Sequence, residues 1–282
     1  MNVGLVLSGG FVKGAYQIGA LRAISEFINI DDIKCMSCAS IGVLNGYSFI
    51  SGKIDEAEQM WRSICGDNER FLISQILRSQ LLKRNIINIC NGAKISGKFY
   101  CALLDLKRRN IIYKDLSTIE SDYIEKYLQA SVSLPIYSKG IMIDDTAYFD
   151  GATVDNIPVF PFLSHNLDYI ICIYFDDICY EFENSDFNNK VIKIVFPGKS
   201  ILKQSFVVSQ KSIENMIEEG YDKTKAVLQD VFRNGNNDIE YINKIIIENN
   251  KRHKKENKRI TADVVFTNLN KITQKITKRK IS

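Results

Sequence analysis

Short uninterrupted apolar runs alternate with longer stretches in which apolar residues recur every three or four positions, and this alternation organises most of the chain. Val3–Leu7 is one such run, closed by Gly9 and Gly10. Beyond Val12, the residues Ile18, Leu21, Ile24 and Ile28 fall at helical spacing. Ile33–Ala39 repeats the strand pattern, and Ile41–Ile50 reads as a second helix that starts directly after Ser40. Two strand–helix units so close together predict a parallel, doubly covered sheet, because parallel neighbours need crossover connections. Residues 169–175 are apolar throughout and 191–196 are apolar but for Lys193, as central parallel strands are. Residues 99–106, 111–113 and 147–149 read as further strands, and 123–130 as a short helix.

Two other stretches are amphipathic. Between Arg70 and Arg84, the residues Ile73, Ile76, Leu77 and Leu81 share one helical face, with Arg78, Lys83 and Arg84 elsewhere. This predicts a helix over 70–84, either packed on the core or serving as a lipid-facing lid. A helical pattern over 205–232 ends at Asn234-Gly235-Asn236-Asn237, a turn-forming cluster. The expected organisation is therefore a domain over 1–235 and a basic extension over 236–282, helical or partly disordered.

Composition narrows this picture. A chain of 282 residues with 45% apolar content can bury one large α/β core. The expected location is cytoplasmic, or peripheral at a membrane, since the chain has neither a run of about eighteen apolar residues nor a basic start with a long apolar stretch. The net charge of +4 is uneven: residues 251–280 hold eleven Lys or Arg against Glu256 and Asp263, a net of +9, which leaves −5 for residues 1–250. Lys271, Lys275, Lys278, Arg279 and Lys280 suit either a solvated tail or contact with anionic lipid. Nucleic acid is not expected, because aromatics scarcely interleave with these charges. An odd count of seven cysteines reads as reduced thiols. Cys35 and Cys38 lie three apart in a strand and so face opposite sides. With only His165 and His253 present, no metal centre is expected, and no cofactor.

Three constellations stand where strands end, the usual place for sites in open α/β sheets. The first is Ser8-Gly9-Gly10-Phe11-Val12-Lys13-Gly14, which has neither the lysine position of a P-loop nor the glycine spacing of a dinucleotide site. Its glycines let backbone N–H groups converge on an anion at a helix start. The anion can be the oxyanion of an acyl-transfer intermediate, for which one such donor is worth about 3 to 4 kcal/mol of barrier. The second is Cys38-Ala39-Ser40-Ile41-Gly42, a strand-to-helix turn that lifts a serine clear of its neighbours and places it at a helix N-terminus. The third is Asp150-Gly151-Ala152 with Asp155-Asn156-Ile157-Pro158 after it, where a carboxylate before a glycine can approach another backbone and accept a proton.

Together, from about Val3 to about Phe232, these segments resemble the patatin-like phospholipase family of acyl hydrolases. Gly9-Gly10-Phe11-Val12-Lys13-Gly14 resembles its oxyanion loop, Ser40 with Gly42 its nucleophile elbow, and Asp150-Gly151-Ala152 its Asp-Gly-Gly/Ala box. Ala130-Ser131, Leu134-Pro135 and Gly220-Tyr221 are weaker matches. The resemblance implies a three-layer α/β/α fold with a mostly parallel sheet, a lipid ester substrate and a Ser-Asp dyad without histidine. Asp150 would take the Ser40 proton, an acyl-enzyme would form, and the amides of Gly9, Gly10 and Phe11 would hold the oxyanion, with Lys13 shaping the loop or attracting anionic head groups. Phe11 stands where the family has a third glycine, and Cys38 where it has the first glycine of the elbow.

Two alternatives remain at this stage. A triad of Ser40, Asp150 and His253 has the chain order of α/β-hydrolases, but Ser40 follows only two strands and His253 lies in a solvated basic run. A catalytically silent relative that binds lipid or a partner would explain Phe11 and Cys38 as signs of decay.

Overall fold

The computed structural model describes residues 1–64, 70–72, 80–135, 138–176, 179–182, 185–198, 207–235, 238–252 and 256–259. Strand β1 (Val3–Leu7) leads through a 3-10 turn into helix α1 (Gly14–Phe27), and β2 (Ile33–Ala39) leads into α2 (Ile41–Ile50), with α3 (Ile54–Ser63) next. Then come β3 (Arg70–Leu72), α4 (Gln80–Cys90), β4 (Lys98–Asp105), β5 (Asn110–Asp115), α5 (Ser121–Ser131), β6 (Ile141–Ile143) and β7 (Thr146–Asp150). The remainder comprises β8 (Tyr169–Phe175), β9 (Cys179–Phe182), α6 (Ser185–Asn188), β10 (Val191–Phe196), β11 (Val207–Ser209), α7 (Gln210–Val231), α8 (Ile239–Arg252) and β12 (Glu256–Arg259).

The main sheet runs β10-β8-β1-β2-β4-β7-β6, with β5 also on β4. Strands β10, β8, β1, β2 and β4 are parallel, and β5, β7 and β6 join antiparallel. This is the α/β fold expected, with a parallel centre and an antiparallel flank. Leu5 and Leu7 of β1, Ile171 and Ile173 of β8, and Ile192 and Ile194 of β10 join the helices in the larger core. Val6, Ile170, Cys172 and Tyr174 point the other way, under Ile157, Val159, Phe162 and Leu167. Burial on both faces is why β1 and β8 read as unbroken apolar runs and β10 as one interrupted only by Lys193. The helices crowd one face, whereas 3-10 turns and the β9–α6 excursion supply the second covering layer. Cys35 belongs to one core and Cys38 to the other, as strand alternation requires.

Helices α1 and α7 touch backbone to backbone. A Cβ on Gly19 would stand 1.8 Å from the Ile217 carbonyl oxygen, and one on Gly220 would stand 2.1 Å from the Tyr16 carbonyl oxygen. Only paired glycines permit that approach, so Gly220 is a packing residue. Ser209 and Ser212 close a capping box at the start of α7. The helix expected from 205 therefore begins at Gln210, and 207–209 pair with β3 as a short strand.

Other boundaries differ for identifiable reasons. In place of one helix over 70–84, residues 70–72 form β3 and the helix runs from Gln80 to Cys90, burying Leu82, Ile86 and Ile89. Ile73, Ile76, Leu77 and Arg78 lie outside the described residues, so the lid reading falls there. Helix α3 went unread, although Ala57, Met60 and Trp61 supply its buried face. Gly235 takes φ +95°, and α8 buries Ile242 and Ile246 in the larger core. His253 and the basic residues from Lys271 onward lie outside the described residues. Among the described residues, no helix is long and apolar enough to cross a membrane.

Candidate active site

Strands β1 and β2 run side by side, with Leu7 paired to Cys38, so the loop after one and the turn after the other emerge at the same edge. That register brings Gly9 against Ser40: a Cβ on Gly9 would lie 2.8 Å from the Ser40 Cβ and 2.9 Å from the Ala152 Cβ. Ser40 adopts φ +53° and ψ −131°, a left-handed conformation that costs a non-glycine residue about 1 to 3 kcal/mol. A serine before a helix ordinarily caps it. Here the side chain makes no cap, and its Oγ donates instead to Asp150 Oδ2 at 2.6 Å.

The elbow closes because Gly42 lets α2 rest on β1. A Cβ there would stand 2.7 Å from the Leu7 carbonyl oxygen and 2.8 Å from that of Ser8. Cys38, where the family has glycine, fits because a second glycine receives it: a Cβ on Gly46 would lie 2.8 Å from the Cys38 Sγ. Burial pushes the Cys38 thiol far above its ordinary range, so it is an inert filler of the elbow.

Asp150 ends β7 and is 1% exposed. Its Oδ1 accepts from the Ala152 amide at 2.9 Å, its own amide donates to the Ser133 carbonyl at 2.9 Å, and Oδ2 remains for Ser40. Burial raises its pKa to about 6, against the opposing pull of the Ser40 hydroxyl and the Ala152 amide. A desolvated carboxylate is a better proton acceptor than one in water. Gly151 makes the placement feasible, since a Cβ there would stand 2.6 Å from the Ala102 carbonyl.

The glycine loop forms one wall of a cavity of about 310 Å³ that also includes Ser40, Asp150, Leu134, Asn156 and Phe175. Of the three amides expected to face an oxyanion, that of Gly9 donates to the Asn156 carbonyl at 3.3 Å. Those of Gly10 and Phe11 make no hydrogen bond among the described residues. Gly10 sits flat against Phe175, where a Cβ would come within 2.3 Å of the ring. Phe11 holds φ +52°, which explains why glycine suits this position, and its side chain is 41% exposed. Lys13 Nζ donates to the Gly198 carbonyl at 2.9 Å and lies over the Phe175 ring, so it ties the loop to the end of β10. Gly14 packs on Trp61, Ile41 and Asn45. An adjoining apolar cleft beside Ser40 is lined by Met60, Trp61, Ile64, Leu82 and Val132.

His165 stands apart, paired with the Tyr100 hydroxyl at 3.0 Å. Sequence reasoning missed Gln17 and Asn45, both fully buried beneath the loop. A signal existed for Asn45, a lone amide in the apolar helix Ile41–Ile50, because a buried amide demands partners. Among the described residues, no three His, Cys, Asp or Glu side chains are grouped to hold a metal ion.

The chain is similar to lysophospholipase nte1 of Aspergillus niger, with 28% identity over 172 residues, and to lysophospholipase NTE1 of Phaeosphaeria nodorum, with 29% over 170. These alignments cover 55% and 54% of the chain but only 11% of either relative, so it spans about a tenth of their length. Among solved structures it is similar to VipD from Legionella pneumophila, with a TM-score of 0.49 at 12% identity, covering 81% of this chain and 67% of that one. It is also similar to ExoU in the ExoU–SpcU complex from Pseudomonas aeruginosa, with a TM-score of 0.43 at 13% identity, covering 89% and 59%. A patatin-like phospholipase model matches residues 5–163, more than half of the chain, from within β1 to past Asp150. The chain therefore belongs to the patatin-like phospholipase family.

Proposed function

We propose that the protein is a serine-dependent lipid acyl hydrolase working through a Ser40–Asp150 dyad. The observation that carries this reading is the 2.6 Å hydrogen bond from Ser40 Oγ to a buried carboxylate with a raised pKa. Asp150 takes the hydroxyl proton as Ser40 Oγ attacks the ester carbonyl carbon. The carbonyl oxygen becomes an oxyanion, held by the amides of Gly10 and Phe11 and favoured by the N-terminus of α2. Collapse breaks the bond to the leaving alcohol, which receives the proton from Asp150 and leaves an acyl-enzyme. Water then repeats the sequence, with Asp150 again as base.

The apolar cleft of Met60, Ile64, Leu82 and Val132 suits the acyl chain, and the open side of the cavity near Phe11 suits the rest of the lipid. The names of the relatives support lysophospholipids or phospholipids as the first substrates to try.

The test is a fluorophosphonate probe followed by a defined lipid panel, comparing the parent with Ser40→Ala and Asp150→Asn. Labelling at Ser40, with ester hydrolysis lost in both variants, supports the dyad. An unlabelled Ser40 makes the protein a silent lipid- or partner-binding relative. Loss of hydrolysis in His253→Ala but not in Asp150→Asn replaces the dyad with a histidine triad.

A further inference from the structure

Beneath the loop after β1 lies a buried chain of side-chain hydrogen bonds that the proposed chemistry does not use. Trp61 Nε1 donates to Asn45 Oδ1 at 2.9 Å, and Asn45 Nδ2 donates to Gln17 Oε1 and to the Gly14 carbonyl, each at 2.9 Å. Gln17 Nε2 then donates to the Ser8 carbonyl at 2.7 Å. The direction of this chain is imposed from its ends. An indole N–H can only donate, so Asn45 must turn its oxygen to Trp61 and its nitrogen to Gln17, which leaves the Gln17 nitrogen for Ser8. Gln17 and Asn45 are fully buried, and two amides survive there only with their partners met.

The Ser8 carbonyl shares a peptide plane with the Gly9 amide. In a trans peptide the two groups point in opposite directions, and the Gly9 amide donates to the Asn156 carbonyl at 3.3 Å. That plane is thus clamped from both sides, by α1 through Gln17 and by the loop after Asp150 through Asn156. Gly9 and Gly10 have no side chains to resist rotation. The next two amides, those of Gly10 and Phe11, are the ones assigned to the oxyanion.

We propose that Gln17 is a positioning residue for the oxyanion site. It holds the Ser8–Gly9 peptide so that the Gly10 and Phe11 amides face the developing charge, and Asn45 with Trp61 fixes its orientation. This role rests on the acyl-hydrolase reading.

Gln17→Glu keeps the shape but, when ionised, removes the donor. In the ionised form it should lower kcat about 10- to 100-fold, less than the roughly 100- to 1,000-fold cost of deleting an oxyanion donor because the amides are displaced and not removed, with KM little changed. The inhibition constant of a trifluoromethyl ketone, which adds to Ser40 and places its oxygen where the oxyanion forms, should rise by the same factor as kcat/KM falls. Burial raises the pKa of the introduced carboxyl and its protonation restores an O–H donor, so the deficit of Gln17→Glu relative to the parent at each pH should grow as pH rises and shrink as it falls. Gln17→Met, which has no proton to regain, should show no such recovery. Unchanged kcat in Gln17→Met, or a fall in kcat without weaker ketone binding, overturns the role. If Gln17 variants do not fold, Trp61→Phe removes the indole N–H at the far end together with part of the ring that lines the apolar cleft. The readout is then a short-chain ester and a short-chain ketone that do not fill that cleft, for which kcat and ketone affinity should fall together. A change in neither overturns the role. A parent inert to esters and ketone alike overturns the hydrolase reading, and the positioning role with it.

Discussion

Leu103 of β4 pairs with Asp150 of β7, one residue beyond the Ala102 that pairs with Ala39 of β2. Strand β5 occupies the opposite edge of β4 from Tyr100 to Asp105, so β2 and β7 share one edge and meet end to end. The chain leaves that edge at Ser40 just where β7 arrives at Asp150. Residues 110 apart in sequence are thereby brought into hydrogen-bonding contact by a single strand.

Gly151→Ala tests this junction. Its Cβ would stand 2.6 Å from the Ala102 carbonyl and 2.7 Å from the Leu103 amide, forcing the end of β7 off β4. We expect a loss of about 2 kcal/mol in urea unfolding, typical of overpacking, and at least a tenfold fall in ester hydrolysis. Parent-like turnover would show that Asp150 does not depend on this seat.

The raised pKa of Asp150 predicts the pH dependence of activity. A base must be ionised to accept the serine proton, so log kcat/KM should rise with unit slope below about pH 6 and level off above it. A profile flat from pH 5 to 8 would exclude Asp150 as the base.

The same shift bears on stability in the opposite sense. Between the ordinary carboxylate value of 3.8 and about 6, the folded protein holds a proton that the unfolded chain has released, so stability falls as pH rises through that window. The cost is about 3 kcal/mol, fully present at pH 7. Asp150→Asn should therefore raise Tm by several degrees at pH 7, with the gain gone near pH 4, as scanning calorimetry at both pH values can measure. A lower Tm at pH 7 would contradict this.

Gly220→Ala should weaken the fold. Its Cβ would collide with the Tyr16 backbone and separate α7 from α1, costing about 3 kcal/mol or more. Chemical denaturation reads this directly, and an unchanged midpoint would mean that the helices reseat freely.

Cys38→Gly restores the family residue, yet no gain in activity is expected. The thiol fills the space over Gly46, so its removal should leave kcat within about twofold while lowering stability by about 1 to 2 kcal/mol. A marked rise in turnover would reveal Cys38 as an impairment.

Much of the fold was legible because its signals are local. The runs at Val3–Leu7, Ile33–Ala39 and Tyr169–Phe175 are short, apolar and bounded, and the structure makes strands of them. The pattern over 205–232 misled by a few residues, since 207–208 look alike as strand or helix until β3 pairs with them. Asn45 was visible as a misfit in an apolar helix, but nothing in the order of residues says that its partners are Gln17 and Trp61.

By itself the sequence determined which residues are candidates for the chemistry and where they stand along the chain: a serine between strand and helix, a glycine-rich turn before it and an aspartate–glycine pair after it. These follow from backbone geometry and spacing, which are local properties. The tertiary structure decided what they become. Burial raises the pKa of Asp150, the shared edge of β4 sets it against Ser40, and the Ser8–Gly9 peptide is bonded to Gln17 and to Asn156 while the amides of Gly10 and Phe11 stay unpaired among the described residues. Desolvation and contact between distant segments exist only once the chain has folded, so the chemistry of the site is a property of the packing.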